Sequence, residues 1–213
     1  MSTTGRRERE KARRREDILQ AARDVFFSSG FSRATIDDVA ACAEVSKGTV
    51  YLYFESKETI LAHLVLEGLD LLSEQLETAY APKKDLPVDE RIRRLARAYL
   101  KFAKTQPQYF RLLMAFDHGQ FRKSVPDPLY QQIAERSLAS LQWVERAFEQ
   151  GDSSGEFVNG DPRRAAGVLW ASLNGVLFLL DHPLRQEILG VSLDALFEST
   201  LDVLLRGFAN PTT

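Results

Sequence analysis

Hydrogen-bond donors of the kinds that reach phosphates and base edges are concentrated between residues 46 and 57. These donors are Lys47, Thr49, Tyr51, Tyr53 and Lys57. If the segment is helical, Val50 and Phe54 share one side, and Gly48 and Leu52 lie on the opposite side. A glycine inside a helix costs about 1 kcal/mol relative to alanine, which favours a close approach of the backbone to another surface. The segment therefore predicts contact with a nucleic acid, with a solvated amphipathic helix as the alternative.

The elements before this segment predict a helix-turn-helix. A first helix runs from about Arg14 to Ser29 and ends at Gly30, a residue that favours helix C-termini. A second helix begins at Thr35-Ile36-Asp37-Asp38, which resembles a capping box with Asp in place of the usual Glu. Ser46 is a good N-cap for the following helix, and Glu44 stands in the turn, where glycine would more easily adopt a left-handed conformation. Two short helices joined in this way present the second one to the major groove.

The rest of the chain also has helical punctuation and no strand alternation. Ser56 is a plausible N-cap for a helix that continues to about Ala79, and residues 81–87 contain two prolines and form the first long loop. Later helices are expected at about 88–105, 107–120, 127–150, 162–180 and 191–208. We predict an all-α fold of about nine helices, with a helix-turn-helix domain over residues 1–57 and a larger helical domain over 58–213, in which 58–79 is a connecting helix.

The amino-acid composition limits the classes of protein to which the chain can belong. The chain has 213 residues, 44% of them apolar and 27% charged, so it can bury a core without disulfide or metal staples. Cys42 is the only cysteine, which excludes an intrachain disulfide and fits a reducing, cytoplasmic compartment. No secretory signal is recognised, and the longest apolar run, residues 165–180, is shorter than the roughly 20 residues of a bilayer span, so no membrane partner is expected.

Positive charge is concentrated at the start of the chain. Residues 1–16 hold seven Lys/Arg and three Glu, whereas residues 58–213 hold 17 Lys/Arg and 21 Asp/Glu. A basic front end on an acidic body suggests a polyanionic partner, with a solvated, frayed terminus as the alternative. The segment Arg6–Arg15 is therefore expected either to lie along phosphates or to enter a minor groove.

Enzymatic chemistry finds no support in the sequence. Motifs for a nucleophile elbow, a dinucleotide fold, a P-loop or a zinc protease are absent. The three histidines, His63, His118 and His182, lie on separate predicted helices. We therefore predict neither catalysis, nor a metal site, nor a cofactor.

The larger domain carries a stripe of small residues, Gly167, Ala171 and Gly175, at a spacing of four. Such a stripe lets another helix approach closely, either from the same chain or from another one. The last helix has a wide apolar face that includes Phe197, Leu201 and Leu204.

Large apolar side chains of the middle and late helices predict a pocket for a small hydrophobic ligand. The candidate lining residues are Phe110, Met114, His118, Trp143, Trp170, Asn174 and Phe178. Ordinary core packing is the alternative for each aromatic residue.

Residues 31–61 resemble the DNA-binding signature of TetR-family transcriptional regulators. The matching residues are Thr35-Ile36 with Val39-Ala40, then Val45-Ser46-Lys47-Gly48-Thr49-Val50-Tyr51, and Tyr53-Phe54 with Ser56-Lys57-Glu58. The strong match covers about residues 14–62, and Glu44 departs from the glycine that is frequent at that position in the family. The rival interpretation is an all-helical interaction module or small-molecule-binding protein without a DNA-binding role.

The resemblance implies a homodimer that binds a palindromic operator in double-stranded DNA, usually as a repressor, and releases it when a ligand fills a pocket in the larger domain. It implies phosphate contacts from Thr35 and Lys57, and a groove-facing set that begins at Lys47, the best candidate for a guanine edge. The whole implied DNA-binding set is Thr35, Ser46, Lys47, Gly48, Thr49, Tyr51, Tyr53 and Lys57. The last two helices resemble the family's dimer-forming pair, which assigns to the interface Gly167, Ala171, Gly175, Phe197, Leu201 and Leu204.

Overall fold

The computed structural model describes residues 3–80, 86–117, 124–157, 160–180 and 182–209. Over these ranges the chain forms ten α-helices and no strand. The helices are α1 (Thr3–Ser29), α2 (Ile36–Cys42), α3 (Lys47–Tyr53), α4 (Lys57–Tyr80), α5 (Val88–Thr105), α6 (Pro107–Asp117), α7 (Asp127–Ser154), α8 (Pro162–Leu180), α9 (Pro183–Leu189) and α10 (Leu193–Phe208). The all-α prediction is confirmed. The expected count of about nine omits α9, a short helix that lies between the predicted helices at 162–180 and 191–208.

Helix α1 is much longer than predicted, since it begins at Thr3 rather than near Arg14. Its first half is rich in Arg, Glu and Lys, which favour helix but bury nothing. Arg6 pairs with Glu10 one turn later at 3.1 Å. The apolar periodicity that predicted the boundary begins only at Ile18, because periodicity marks burial rather than helix itself.

Side chains and backbone conformation fix the ends of the helix-turn-helix as predicted. Gly30 has φ +80° after α1, and Thr35 closes a full capping box at the start of α2. Ser46 caps α3, its Oγ accepting from the Thr49 amide. Glu44 adopts φ +53° in the turn, so the left-handed conformation is present without the glycine that would favour it.

Two compact units make up the chain, one of Met1–Gly68 with Arg111–Ile133 and one of Leu69–Phe110 with Ala134–Thr213. In the first, α1 packs on α2 and α2 on α3, over a buried set that includes Ile18, Val39 and Val50. The predicted domain boundary at residue 57 falls inside this unit, which also holds the first three turns of α4.

In the second unit, α8 packs against α10, α5 and α9. A row of ion pairs also joins α5 to α10, with the cation always on α5. The pairs are Arg93–Asp202 (2.5 Å), Arg97–Glu198 (2.9 Å) and Lys104–Asp194 (2.5 Å). Hydrogen bonding within the middle pair raises the pKa of Arg97 and lowers that of Glu198. Partly exposed pairs of this kind add little stability, but their order requires the two helices to run antiparallel.

Candidate nucleic-acid interface

Helix α3 presents an open strip on the side opposite its buried face. Val50 is fully buried and Phe54, just after the helix, is 1% exposed. Leu52 is 80% exposed, and a Cβ added to Gly48 would meet only Ser46 Oγ, at 3.8 Å. Among the described residues, neither the glycine nor the leucine is therefore needed for packing. Tyr51, at 48% exposure, flanks the strip.

The ammonium group of Lys47 is held by a carboxylate of the preceding helix. Its Nζ donates to Asp37 Oδ2 at 2.7 Å, and both side chains are exposed. The hydrogen bond and the charge of Asp37 raise the pKa of Lys47, so the lysine is fully protonated at neutral pH. A guanine edge or a phosphate would have to compete with Asp37 for this ammonium group.

Thr35 and Ser46 serve as helix caps in the free protein. The Thr35 hydroxyl donates to Asp38 Oδ2 at 2.7 Å and accepts from the Asp38 amide at 3.1 Å. Together with the Thr35 amide, this hydroxyl lowers the pKa of Asp38. Ser46 Oγ lies 2.8 Å from Thr49 Oγ1 in addition to its capping bond. A phosphate contact by either cap hydroxyl would therefore exchange or share an existing bond.

Lys57, at the start of α4, is anchored to the loop before α2. Its Nζ donates to the carbonyl of Ala34 at 2.6 Å and lies 4.2 Å from the centre of the Phe31 ring. An ammonium group has three protons to donate, so this arrangement positions the charge and leaves donors for a phosphate.

A cluster of Arg15, Phe54 and His63 joins α1, the end of α3 and α4. The Arg15 guanidinium lies 4.9 Å from the centre of the Phe54 ring and 2.9 Å from His63 Nε2. Burial, with a smaller contribution from Arg15, lowers the pKa of His63 to about 4. The imidazole is therefore neutral at physiological pH, and Nε2 accepts the hydrogen bond from Arg15.

Two candidate contact residues were not predicted from the sequence. Asp37 controls the state of Lys47, but a contact across ten residues of sequence is visible only after α2 and α3 have packed. Leu52 was placed on the side of Gly48 without a role. Its position opposite the buried face of α3 could have indicated a contact with DNA, because an exposed apolar side chain suits a thymine methyl group.

Two of the predicted pocket residues, Phe110 and Asn174, both contact Tyr99, whereas Trp143 lies against a different ring. Phe110 is buried, with its ring edge-to-face with Tyr99 at 6.0 Å, and the Tyr99 hydroxyl donates to Asn174 Oδ1 at 2.5 Å. Trp143 packs on Tyr80 at 5.2 Å. Met114 is half-buried, and His118 lies outside the described residues.

Two of the pocket candidates lie at the surface instead. Trp170 is 44% exposed and Phe178 is 54% exposed, both on the outer side of α8. We correct their assignment, because lining an interior pocket would need cover that the described residues of this chain do not provide for them.

The small-residue stripe of α8 also faces outward. A Cβ added at Gly167 or Gly175 would meet nothing within 4 Å, and Ala171 is exposed. Packing within the chain, the alternative explanation of the stripe, is therefore wrong for the described residues. Phe197 and Leu201 are fully buried in their own chain and belong to the core, which corrects their placement at the interface. Leu204 is half-buried.

Within the described ranges, no group of three or more His, Cys, Asp or Glu side chains is arranged to hold a metal ion. No single helix there is long and apolar enough to cross a bilayer, and α8 with α9 meets that test only as a pair bent by 103°.

Family models match both the N-terminal and the C-terminal part of the chain. The model of the tetR family of bacterial regulatory proteins matches residues 18–64, and that of the tetracyclin repressor-like C-terminal domain matches residues 92–204. YhgD, an uncharacterized HTH-type transcriptional regulator of Bacillus subtilis, is 29% identical over 156 residues, which cover 73% of this chain and 78% of that protein.

Two more matches, one to a sequence and one to a solved structure, cover nearly the whole chain. The fatty acid metabolism regulator protein of Bacillus subtilis is 28% identical over 204 residues, covering 91% of this chain and 94% of its own. The crystal structure of the transcriptional regulator FadR from Bacillus subtilis in complex with stearoyl-CoA superposes with a TM-score of 0.68 at 24% identity, covering 91% of this chain and 98% of that one. Because the match to the C-terminal family model alone spans more than half of the chain, this protein belongs to the TetR family of DNA-binding transcriptional regulators.

Proposed function

We propose that this regulator binds a palindromic operator as a homodimer, represses transcription from it, and leaves it when a small hydrophobic ligand binds the second unit. The observation that carries the proposal is the open strip on α3. Gly48 and Leu52 have no packing role in the chain, yet they lie between donors of the kinds that contact DNA. The strip fits a helix that enters a major groove.

The residues of the strip would each make a different kind of contact with the DNA. Gly48 lets the backbone approach the bases, and Leu52 contacts a thymine methyl. Lys47 reads a guanine edge after exchange from Asp37. Tyr51, Tyr53 and Thr49 supply further contacts at the edges of the strip. Thr35, Ser46 and Lys57 keep their positioning bonds and place phosphates at the helix starts.

The outer face of α8 and the neighbouring α10 support the homodimer. Gly167, Ala171 and Gly175 leave a shallow, open surface, and Val203 on α10 is 62% exposed. A second copy of the same face would cover these apolar groups and also Phe178. Two-fold symmetry of the dimer would then require a palindromic operator.

The ligand is inferred to be largely apolar, with one or few polar groups. Phe110, Tyr99 and Asn174 bring aromatic surface and one hydrogen-bonded polar pair together in the second unit. The resemblance to FadR, solved with stearoyl-CoA, supports a fatty-acyl compound as the first class to test.

The test begins with selection of bound duplexes from a random pool by the full chain. The affinity for the most enriched duplex is then measured by gel-shift titration. We expect a palindromic duplex, and at least a tenfold loss of affinity (about 1.4 kcal/mol) in the double variant Tyr51→Ala, Leu52→Ala. The control is Leu138→Ala, which removes an exposed leucine from α7. Failure to enrich any duplex would favour the rival interpretation, an all-helical protein without a DNA-binding role.

Ligand control is tested separately with long-chain acyl-CoA added to the protein–duplex complex. Release of the duplex at micromolar acyl-CoA, with no release by free coenzyme A, is the expected result. Unchanged binding would exclude this ligand class and leave the DNA-binding role standing.

A further inference from the structure

The first half of α1 forms a separate charged surface, which we name the basic helical arm and define as residues 5–16. Every residue from Arg6 to Arg14 is exposed, and Ala12 is the only apolar side chain. The arm is about 18 Å long. It also lies outside the matched part of the family model, which begins at residue 18.

Most of the positively charged residues of the segment 1–68 are on this arm. The arm holds seven Lys/Arg and three Glu, whereas residues 31–57 hold three Lys/Arg and four Asp/Glu. All three cations in the latter segment are already engaged, Lys47 with Asp37, Lys57 with the Ala34 carbonyl and Arg33 with the Ser29 carbonyl. The helix-turn-helix itself therefore offers a phosphate backbone little net attraction.

The root of the arm is fixed beside the recognition helix. Arg15 lies between Phe54, which caps the C-terminus of α3, and His63 of α4. Farther along α1, Arg23 Nη2 donates to both carboxylate oxygens of Glu67, each at 2.7 Å. The arm thus leaves the folded unit at a defined place, beside the C-terminal end of α3.

The dimensions of a helix limit where the arm can bind. A helix with side chains is about 10–12 Å wide and does not enter a minor groove about 6 Å wide. One of the two placements considered from the sequence is therefore excluded for the helical state. The phosphate backbone that flanks the groove remains, and it needs no insertion.

One side of the arm is better suited to this role. Arg7, Lys11 and Arg14 recur at helical spacing and span about 10 Å, a length over which one DNA strand carries about three phosphates. Arg6, Arg9 and Arg13 lie on the other side, where Arg6 is already paired with Glu10. The first stripe also continues the side on which Ile18 and Ala22 are buried, so it lies on the side of α1 that faces the folded unit.

We propose that the basic helical arm binds the phosphates flanking the sequence contacted by α3, through Arg7, Lys11 and Arg14. The proposal rests on the proposed operator binding. The arm supplies affinity without sequence information, and α3 supplies the sequence choice. The salt dependence of binding should therefore come largely from a segment outside the helix-turn-helix.

The experiment compares two variants of the full chain that lose equal charge, Arg7→Gln/Lys11→Gln/Arg14→Gln and Arg6→Gln/Arg9→Gln/Arg13→Gln. Glutamine keeps the helix propensity, which circular dichroism verifies. Binding to the duplex selected by the wild type is measured against salt concentration. We expect the first variant to lose at least about tenfold in affinity and up to about 2.7 in salt slope per protomer, and the second to lose clearly less.

A second duplex, trimmed by about one helical turn at each end, identifies where the arm lies. Trimming should weaken the wild type and leave the first variant unaffected, since that variant no longer uses the flanks. Equal losses from both variants would overturn the assigned stripe, and two unchanged salt slopes would overturn the arm proposal. If the wild type selects no duplex at all, the proposed operator binding itself fails, which is a distinct outcome.

Discussion

Gly48 offers the sharpest test of recognition because one substitution should change stability and affinity in opposite directions. In the free protein, a methyl group at this position meets only Ser46 Oγ at 3.8 Å, an ordinary contact. Gly48→Ala should therefore stabilise the fold by about 0.5–1 kcal/mol through helix propensity, or raise Tm by about 1–4 °C in a chain of this size. The same methyl group would stand between the α3 backbone and the base edges.

We expect Gly48→Ala to weaken operator binding at least tenfold, about 1.4 kcal/mol, and Gly48→Leu to weaken it more. The assays are thermal unfolding and fluorescence anisotropy titration of the selected duplex. The inverse control is Ala139→Gly on the exposed side of α7, which should lower stability by about 1 kcal/mol and leave affinity unchanged. A Gly48→Ala variant that is more stable and binds DNA normally would refute close backbone approach.

Three further perturbations follow from the structure. Because the pKa of His63 is lowered, its contribution to stability is complete above about pH 6.5 and is lost as pH falls towards 4. The loss is about 1–2 kcal/mol after discount for the half-exposed ring. The variant His63→Gln should therefore show a flatter dependence of Tm on pH across that window, and a variant curve parallel to that of the wild type would contradict this. Asp37→Asn should free Lys47, steepen the salt slope by about 1 and raise affinity for unrelated duplexes several-fold, whereas an unchanged slope would show that the ion pair does not limit binding. Gly175→Leu fills open space on α8, so sedimentation should reveal monomer with unchanged helicity, and an intact dimer would count against this face as the interface.

Local signals in the sequence were sufficient for the helix-turn-helix. Gly30, the Thr35 capping box and the Ser46 cap each fix a chain direction with atoms from within four residues. Such short-range chemistry is visible without tertiary structure. The open strip on α3 followed from the burial of Val50 and Phe54, which helical spacing also predicts.

The misses have a common physical origin. The start of α1 and the whole of α9 bury no side chain, so no apolar period marks them. In α9, His182 caps the N-terminus, Pro183 occupies the first turn and Gly190 ends the helix with φ +62°. In the sequence, His182-Pro183 predicts a joint between two helices, but together with Gly190 these residues delimit a helix. Punctuation alone does not distinguish a loop from a helix that has a cap at each end.

Contacts between residues that are far apart in the sequence could not be predicted. The Asp37–Lys47 pair and the Arg15–His63 bond require packed helices, because their partners are 10 and 48 residues apart. The side of α10 that carries Phe197 and Leu201 was known to be apolar. Whether it met its own chain or a partner depended on where α5 and α8 packed.

The turn between α2 and α3 has a consequence for genetics. Glu44 holds a left-handed conformation that costs an L-residue about 1 kcal/mol or more and that glycine adopts freely. Glutamate and glycine codons differ by a single base, so relief of this strain is always one mutation away. A screen for suppressors of a destabilising change in the helix-turn-helix should therefore return Glu44→Gly repeatedly, wherever in that unit the first lesion lies.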